Sequence, residues 1–118
     1  MAYDEATAER VRKALAGRKG VVAKKMMGGL CFMTGDGMVC SVSGRGGMMI
    51  RVAPETRETM LAEPHAAPVE MRGRTMMGFV RVAPEGYRTD AALKKWIERG
   101  FAGVAAHAAA KPPKRKKN

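Results

Sequence analysis

The sequence predicts an α+β fold: a two-layer domain with an antiparallel sheet of about six strands, flanked by N-terminal, middle and C-terminal helices. Three observations lead there. Apolar residues recur at three-to-four spacing near both ends of the chain. Between Val21 and Val52 the period drops to two, and glycines divide short apolar runs. The length, 118 residues, suits one domain, since typical domains run to roughly 100–150 residues.

The first helix is predicted from about Asp4 to Ala16. Tyr3, Thr7, Val11 and Leu15 fall on one face with Ala8 and Ala14 alongside. Asp4 can cap it. Asp4, Glu5 and Glu9 gather at its N-terminal end and Arg12, Lys13 and Arg18 at the other, as the helix dipole prefers. Gly17 is the expected stop. Four strands follow near Val21–Lys25, Gly29–Met33, Met38–Ser43 and Met48–Val52. Turns at Met27-Gly28-Gly29, Thr34-Gly35-Asp36-Gly37 and Gly44-Arg45-Gly46-Gly47 join them into a meander. Pro54 suits a first helical turn, which has no use for the missing N–H, so a short helix is expected to about Ala62, ended by Glu63-Pro64. Pro68 then opens an irregular link into a fifth strand near Val69–Arg72, and Gly73-Arg74 turns into a sixth near Met77–Val82.

Asp90 begins the last helix, in which Leu93, Trp96, Ile97, Phe101, Val104 and Ala108 form one apolar stripe. Gly100 and Gly103 weaken this helix by about 1 kcal/mol each relative to alanine, a loss that close packing on the sheet would explain. Lys111-Pro112-Pro113 cannot continue a helix. The organisation expected is therefore a domain over residues 1–110 and a disordered basic tail over 111–118. One pentapeptide, Arg51-Val52-Ala53-Pro54-Glu55, recurs as Arg81-Val82-Ala83-Pro84-Glu85. Both copies leave an apolar strand and enter a proline-set turn, so the repeat predicts shared local geometry rather than duplicated sites.

Composition narrows the function classes. Hydrophobic residues at 46% and charged residues at 28% give a globular balance. No run approaches the roughly 18 apolar residues of a membrane span. The N-terminus lacks the basic start and apolar core of a secretion signal, and the expected location is cytoplasmic. Net charge is +11. Five of the 22 basic residues lie between Lys111 and Lys117, and without them 17 face 11 acids, a net +6 for the body. Such a balance fits contact with polyanions and fits solubility equally.

Residues able to carry chemistry are scattered. Ser41 and Ser43 lie in a predicted strand without a nucleophile elbow. His65 sits in a loop and His107 near a helix end, and no paired metal-ligand spacing occurs. The acids Asp4, Glu5, Glu9, Glu55, Glu58, Asp90 and Glu98 fall on predicted helices. The glycine pairs beside Lys24-Lys25 and Arg45 lead into strands, where a phosphate loop leads into a helix. Cys31 and Cys40 face one another if the hairpin turns at Gly35-Asp36; if it turns at Asp36-Gly37, Cys40 faces Met33. In either register they read first as small buried apolar residues. No catalytic residue, metal, cofactor or small-molecule substrate is predicted.

Eleven methionines remain, with adjacent pairs at Met26-Met27, Met48-Met49 and Met76-Met77. On a strand, one of each pair points away from the other. Leu30 and Phe32 likewise oppose Cys31 and Met33, so the sheet is apolar on both faces. One face lies under the helices. The other needs cover, which makes a protein partner or a homodimer the expected companion. Met27, Met49, Met77 and Phe79 are the candidate interaction surface. For nucleic acid, the candidate phosphate contacts are Lys24, Lys25, Arg45, Arg72, Arg74, Lys114, Arg115, Lys116 and Lys117.

Three segments point to a family. Met1-Ala-Tyr-Asp-Glu, Lys25-Met26-Met27-Gly28-Gly29-Leu30-Cys31-Phe32-Met33 and Met71-Arg72-Gly73-Arg74-Thr75-Met76-Met77-Gly78-Phe79-Val80 resemble signature segments of the TfoX/Sxy N-terminal domain. The family patterns read roughly K-M-F-G-G-x-x-F and M-x-G-R-P-M-x-G-W/Y-V. Met27 stands where the first has its aromatic residue, Thr75 where the second has proline, and Phe79 where it has a larger ring. The resemblance runs to about Ala110. It implies an antiparallel sheet flanked by helices, no catalytic residues, and kinship with bacterial regulators of competence genes that act with the cyclic-AMP receptor protein. Full-length members carry a C-terminal domain without counterpart here, so a stand-alone N-terminal domain is expected. The function expected is a non-enzymatic regulatory or protein-interaction module, with a basic nucleic-acid-binding accessory protein as the alternative.

Overall fold

The computed structural model describes residues 4–26, 28–44, 46–71 and 73–110. Along the chain run α1 (Glu5–Ala14), β1 (Val22–Met26), β2 (Gly29–Thr34), β3 (Gly37–Val42) and β4 (Met48–Arg51). A 3-10 turn (Pro54–Thr56) leads into α2 (Arg57–Leu61). Then come β5 (Ala66–Met71), β6 (Arg74–Val82), a second 3-10 turn (Pro84–Tyr87) and α3 (Asp90–Ala110). The six strands form one antiparallel sheet in the order β1-β2-β3-β4-β6-β5. Its edges are therefore β1 and β5. The α+β class, the meander and the three helices stand as the periodicity predicts.

Helix α1 buries Thr7, Ala8 and Val11, and Leu15 just beyond it, along the stripe that its spacing marks; Ala14, expected alongside, is exposed, and Tyr3 lies outside the described residues. Asp4 occupies the capping position, where its carboxylate accepts a hydrogen bond from Thr7 Oγ1 at 2.5 Å. In α3 the cap is Thr89, whose Oγ1 accepts from the Ala92 amide at 3.1 Å. The stripe Leu93, Trp96, Ile97 and Val104 packs on the sheet with Leu30, Phe32, Val39, Cys40, Val42, Met48, Ile50, Val80 and Val82. Helix α1 adds Ala8, Val11 and Leu15 to the same core, and α2 adds partly buried Met60 and Leu61. Close approach explains both helix glycines. A Cβ at Gly100 would lie 2.7 Å from the Val39 carbonyl oxygen, and one at Gly103 would lie 2.6 Å from that of Arg51.

The repeated pentapeptide adopts one geometry twice. Ala53 and Ala83 are extended (φ −72°, ψ 144° and φ −70°, ψ 156°), and a 3-10 turn with proline in its first residues follows each. Val52 and Val82 precede the turns and are both buried in the core.

Two strand predictions need correction. Strand β5 begins at Ala66 and contains Pro68, which was expected to lie in a link before it. The position at the sheet edge accounts for this: a proline there forfeits no ladder hydrogen bond if its nitrogen faces outward. The pairs Glu70↔Thr75 and Met71↔Arg74 extend the hairpin, so β6 starts at Arg74, before the expected Met77. Gly73 turns this hairpin with φ 76°.

The β2–β3 hairpin follows neither cysteine register throughout. Thr34↔Gly37 and Met33↔Met38 set a turn at Gly35-Asp36, and the register then shifts so that Phe32 pairs with Cys40 and Cys31 with Ser41. Val39 is the extra residue of this bulge. Paired residues share a face, so Cys40 joins Phe32 beneath the helices while Cys31 lies on the opposite side. Both thiols are free and buried.

That opposite side holds a second, smaller apolar cluster: Cys31, Met38, Met49, Val69 and Phe79, with partly buried Met33 and Met76 against it. The Arg51 guanidinium lies over the Phe79 ring, 4.3 Å from its centroid. Met49 and Phe79, expected to present an interaction surface, are thus 5% and 7% exposed within the single chain. The reason is contact between same-face side chains of neighbouring strands.

Candidate functional site

Polar side chains able to do chemistry meet at two places among the described residues: Asp4, Thr7 and Tyr87 beside α1, and Cys31 with Ser41 across β2 and β3. No three His, Cys, Asp or Glu side chains come together as a metal site would require. His65 is exposed in a turn at φ 70°, where its backbone carbonyl accepts from the Ala83 amide. Neither His65 nor His107 has a side-chain hydrogen bond or ion pair with another described residue. Burial pushes the Cys40 thiol up to about 12, with nearby Cys31 adding to the effect. Burial also raises Cys31, and a side-chain hydrogen bond with Ser41 acts in the opposite sense. Thiols held this way are poor nucleophiles, since the reactive species is the thiolate.

Three acids, Glu63, Asp90 and Glu98, tie separate helical segments together. Glu98 binds Arg18 at 2.5 Å and Glu63 binds Arg99 at 2.7 Å. Each arginine, through its hydrogen bond, holds its carboxyl below the ordinary value. Arg10 bridges to Asp90 and donates to the carbonyls of Tyr87 and Arg88, joining α1 to the start of α3.

The predicted phosphate contacts are spread over the fold. Lys24 and Lys25 are exposed on edge strand β1, and Arg74 is exposed where β6 begins at the far edge pair. None of these three has an ion-pair partner among the described residues. The remaining candidates, Arg45, Arg72, Lys114, Arg115, Lys116 and Lys117, lie outside the described residues, as does Met27 of the interaction set. Within that set Met77 is 62% exposed, in contrast to buried Met49 and Phe79.

Two further side chains belong to the accessible apolar surface: Val22 at 57% and Met26 at 38% exposure. Both lie on β1, on the same side as Lys24 between them. Lys24 pairs with Cys31, so this is the sheet side away from the helices. The sequence shows Val22, Lys24 and Met26 at alternate positions; only the strand order reveals that no further strand of the described residues lies beside them.

Arg51 is the other residue that the sequence does not single out. Its Nε is buried without a hydrogen-bond partner among the described residues, and burial lowers its pKa. Its charge is met by the Phe79 ring rather than by a carboxylate.

No helix among the described residues is long and apolar enough to cross a membrane. A search of curated proteins finds no match. The family model described as the TfoX N-terminal domain matches residues 13–104. That span takes in β1, the shifted β2–β3 hairpin, the second apolar cluster and most of α3. The chain belongs to the TfoX N-terminal domain family.

Proposed function

We propose that this domain is a non-enzymatic regulatory or protein-interaction module, cytoplasmic and linked to transcriptional or competence regulation as its family suggests. The observation that carries this reading is the edge strand β1, where exposed Val22 and Met26 flank lysines that have no ion-pair partner among the described residues. An exposed strand edge with apolar side chains is a protein-binding element. A second copy is a weaker fit than another protein. The second apolar cluster is already closed by side chains of its own chain, which removes the main need for a homodimer. Affinity capture from the source cell, followed by intact-mass identification, tests the proposal. A defined partner retained through washing is expected. A protein that sediments strictly as a monomer and retains nothing would overturn it.

Lys24, Lys25 and Arg74, which have no ion-pair partner among the described residues, favour a second reading, a basic accessory factor on nucleic acid. Phosphate neutralisation releases counterions, so duplex binding should fall steeply with salt. Titrations at low and moderate salt, with and without residues 111–118, decide it. Failure of both proteins to bind at low salt ends that reading.

A further inference from the structure

We infer that β1 is a docking edge for an acidic, extended segment of a partner protein, which would add a seventh strand to the sheet. This rests on the interaction-module reading and names the partner's chemistry.

The two edges of the sheet are built differently. Strand β5 carries Pro68, a register shift between Pro68 and Glu70, and α2 packed against it. Proline, irregular register and a covering helix are the devices that blunt an edge. Strand β1 has no proline, and it pairs in unbroken register from Val22↔Met33 to Met26↔Gly29. Its one extensive neighbour is β2, and all five of its residues are exposed. Alternate backbone N–H and C=O groups of such a strand point outward, able to form another ladder.

The side chains specify the guest. Val22 and Met26 offer apolar contact on the face away from the helices, with Lys24 between them; Lys25 points to the other face. Neither lysine is neutralised by a described residue. Arg10, Arg12 and Arg18 are paired with acids, but from Lys19 to Gly35 the chain has three lysines and no acid, so the segment that holds β1 carries charge of one sign. A second copy docked antiparallel with strand centres aligned would set lysine against lysine, which destabilises cross-strand pairing. The complementary guest has adjacent acids, one to each face, flanked by β-branched residues that cover Val22 and Met26.

The probe is the labelled peptide Ac-Thr-Ile-Glu-Glu-Val-Ile-Thr-NH2, titrated against the full chain by fluorescence anisotropy, with amide exchange of residues 22–26 followed by NMR. Saturable binding and slowed exchange within β1 are expected. Replacing both lysines (Lys24→Glu with Lys25→Glu), or both peptide acids by lysine, should weaken binding about tenfold or more, since two charge pairs are reversed. Both lysines are exposed, so thermal unfolding of the double variant should match the wild type. Absence of saturation at millimolar peptide, or affinity unchanged in the double variant, would overturn the inference. So would a short random-sequence DNA duplex that binds through these lysines where the peptide does not. Partner capture repeated with the double variant separates the two proposals. Equal capture by both proteins removes the docking edge and keeps the module; loss of capture only in the double variant supports both. No capture by a wild type that also sediments strictly as a monomer removes the module itself.

Discussion

The two faces of the sheet bury apolar side chains by different means. Under the helices, Ile50, Met48, Val80 and Val82 meet α3 and α1 side chains and are fully buried. On the opposite face no helix is needed: Cys31, Met38, Met49, Val69 and Phe79 close on one another, with Arg51 lying over Phe79. The first face is a layered core. The second is a cluster of same-face strand neighbours, capped by a guanidinium stacked on a ring. Burial alone therefore does not show that a sheet face is covered by another element or another chain.

The largest effect should come from truncations one residue apart on β4. Ile50→Ala opens a cavity between sheet and helices and is expected to lower stability by about 4 kcal/mol, within the range for large-to-small core changes. Met49→Ala faces the second cluster, where Met33 and Met76 can shift into the space, and should cost about 2 kcal/mol. Urea unfolding measures both. Equal losses would mean that the two faces are packed alike.

Next come the helix glycines. Alanine gains about 1 kcal/mol in helix propensity, but at Gly100 or Gly103 its methyl group would press on sheet backbone at 2.7 or 2.6 Å. Overpacking of this kind costs about 1–3 kcal/mol, so each substitution should lower the unfolding midpoint. A rise would show that α3 is free to lift from the sheet.

A smaller effect is expected from acid. Glu63 and Glu98 are held below their ordinary value of 4.5 by Arg99 and Arg18. Below pH 4.5 the unfolded chain takes up protons that the folded chain resists, so stability falls as pH drops through this window and is fully present above it. Both pairs are partly exposed, so each contributes no more than about 1 kcal/mol. Glu63→Gln should flatten the acid limb of a Tm-against-pH curve; an unchanged limb would deny the Arg99 contact its role. The smallest effect concerns reactivity alone. A thiol reagent should modify Cys40 more slowly than Cys31 in the folded protein and both at once in denaturant, without disulfide formation. Faster reaction at Cys40 would reverse the assignment of the two faces.

Period and punctuation made most of the architecture legible. The Thr7-Val11-Leu15 and Leu93-Trp96-Ile97-Val104 stripes are the buried ones, and α3 begins at Asp90 as expected. What stayed hidden depends on contacts between distant segments. Pro68 reads as a breaker until its strand is known to be an edge. Val39 carries no local mark of a bulge, yet it decides which face receives Cys40. Met49 and Phe79 look like surface because alternation places them away from the helices, and nothing local says that neighbouring strands will enclose them. The exposure of β1 is a product of strand order, which no window of sequence contains.

Because β4 and β6 are antiparallel neighbours, the two Arg-Val-Ala-Pro-Glu exits lie toward opposite ends of the sheet. Each sends the chain into a helix that returns over the same face. The helical cover is thus hinged at both ends, and neither hinge can swing open without drawing Val52 or Val82 out of the shared interior.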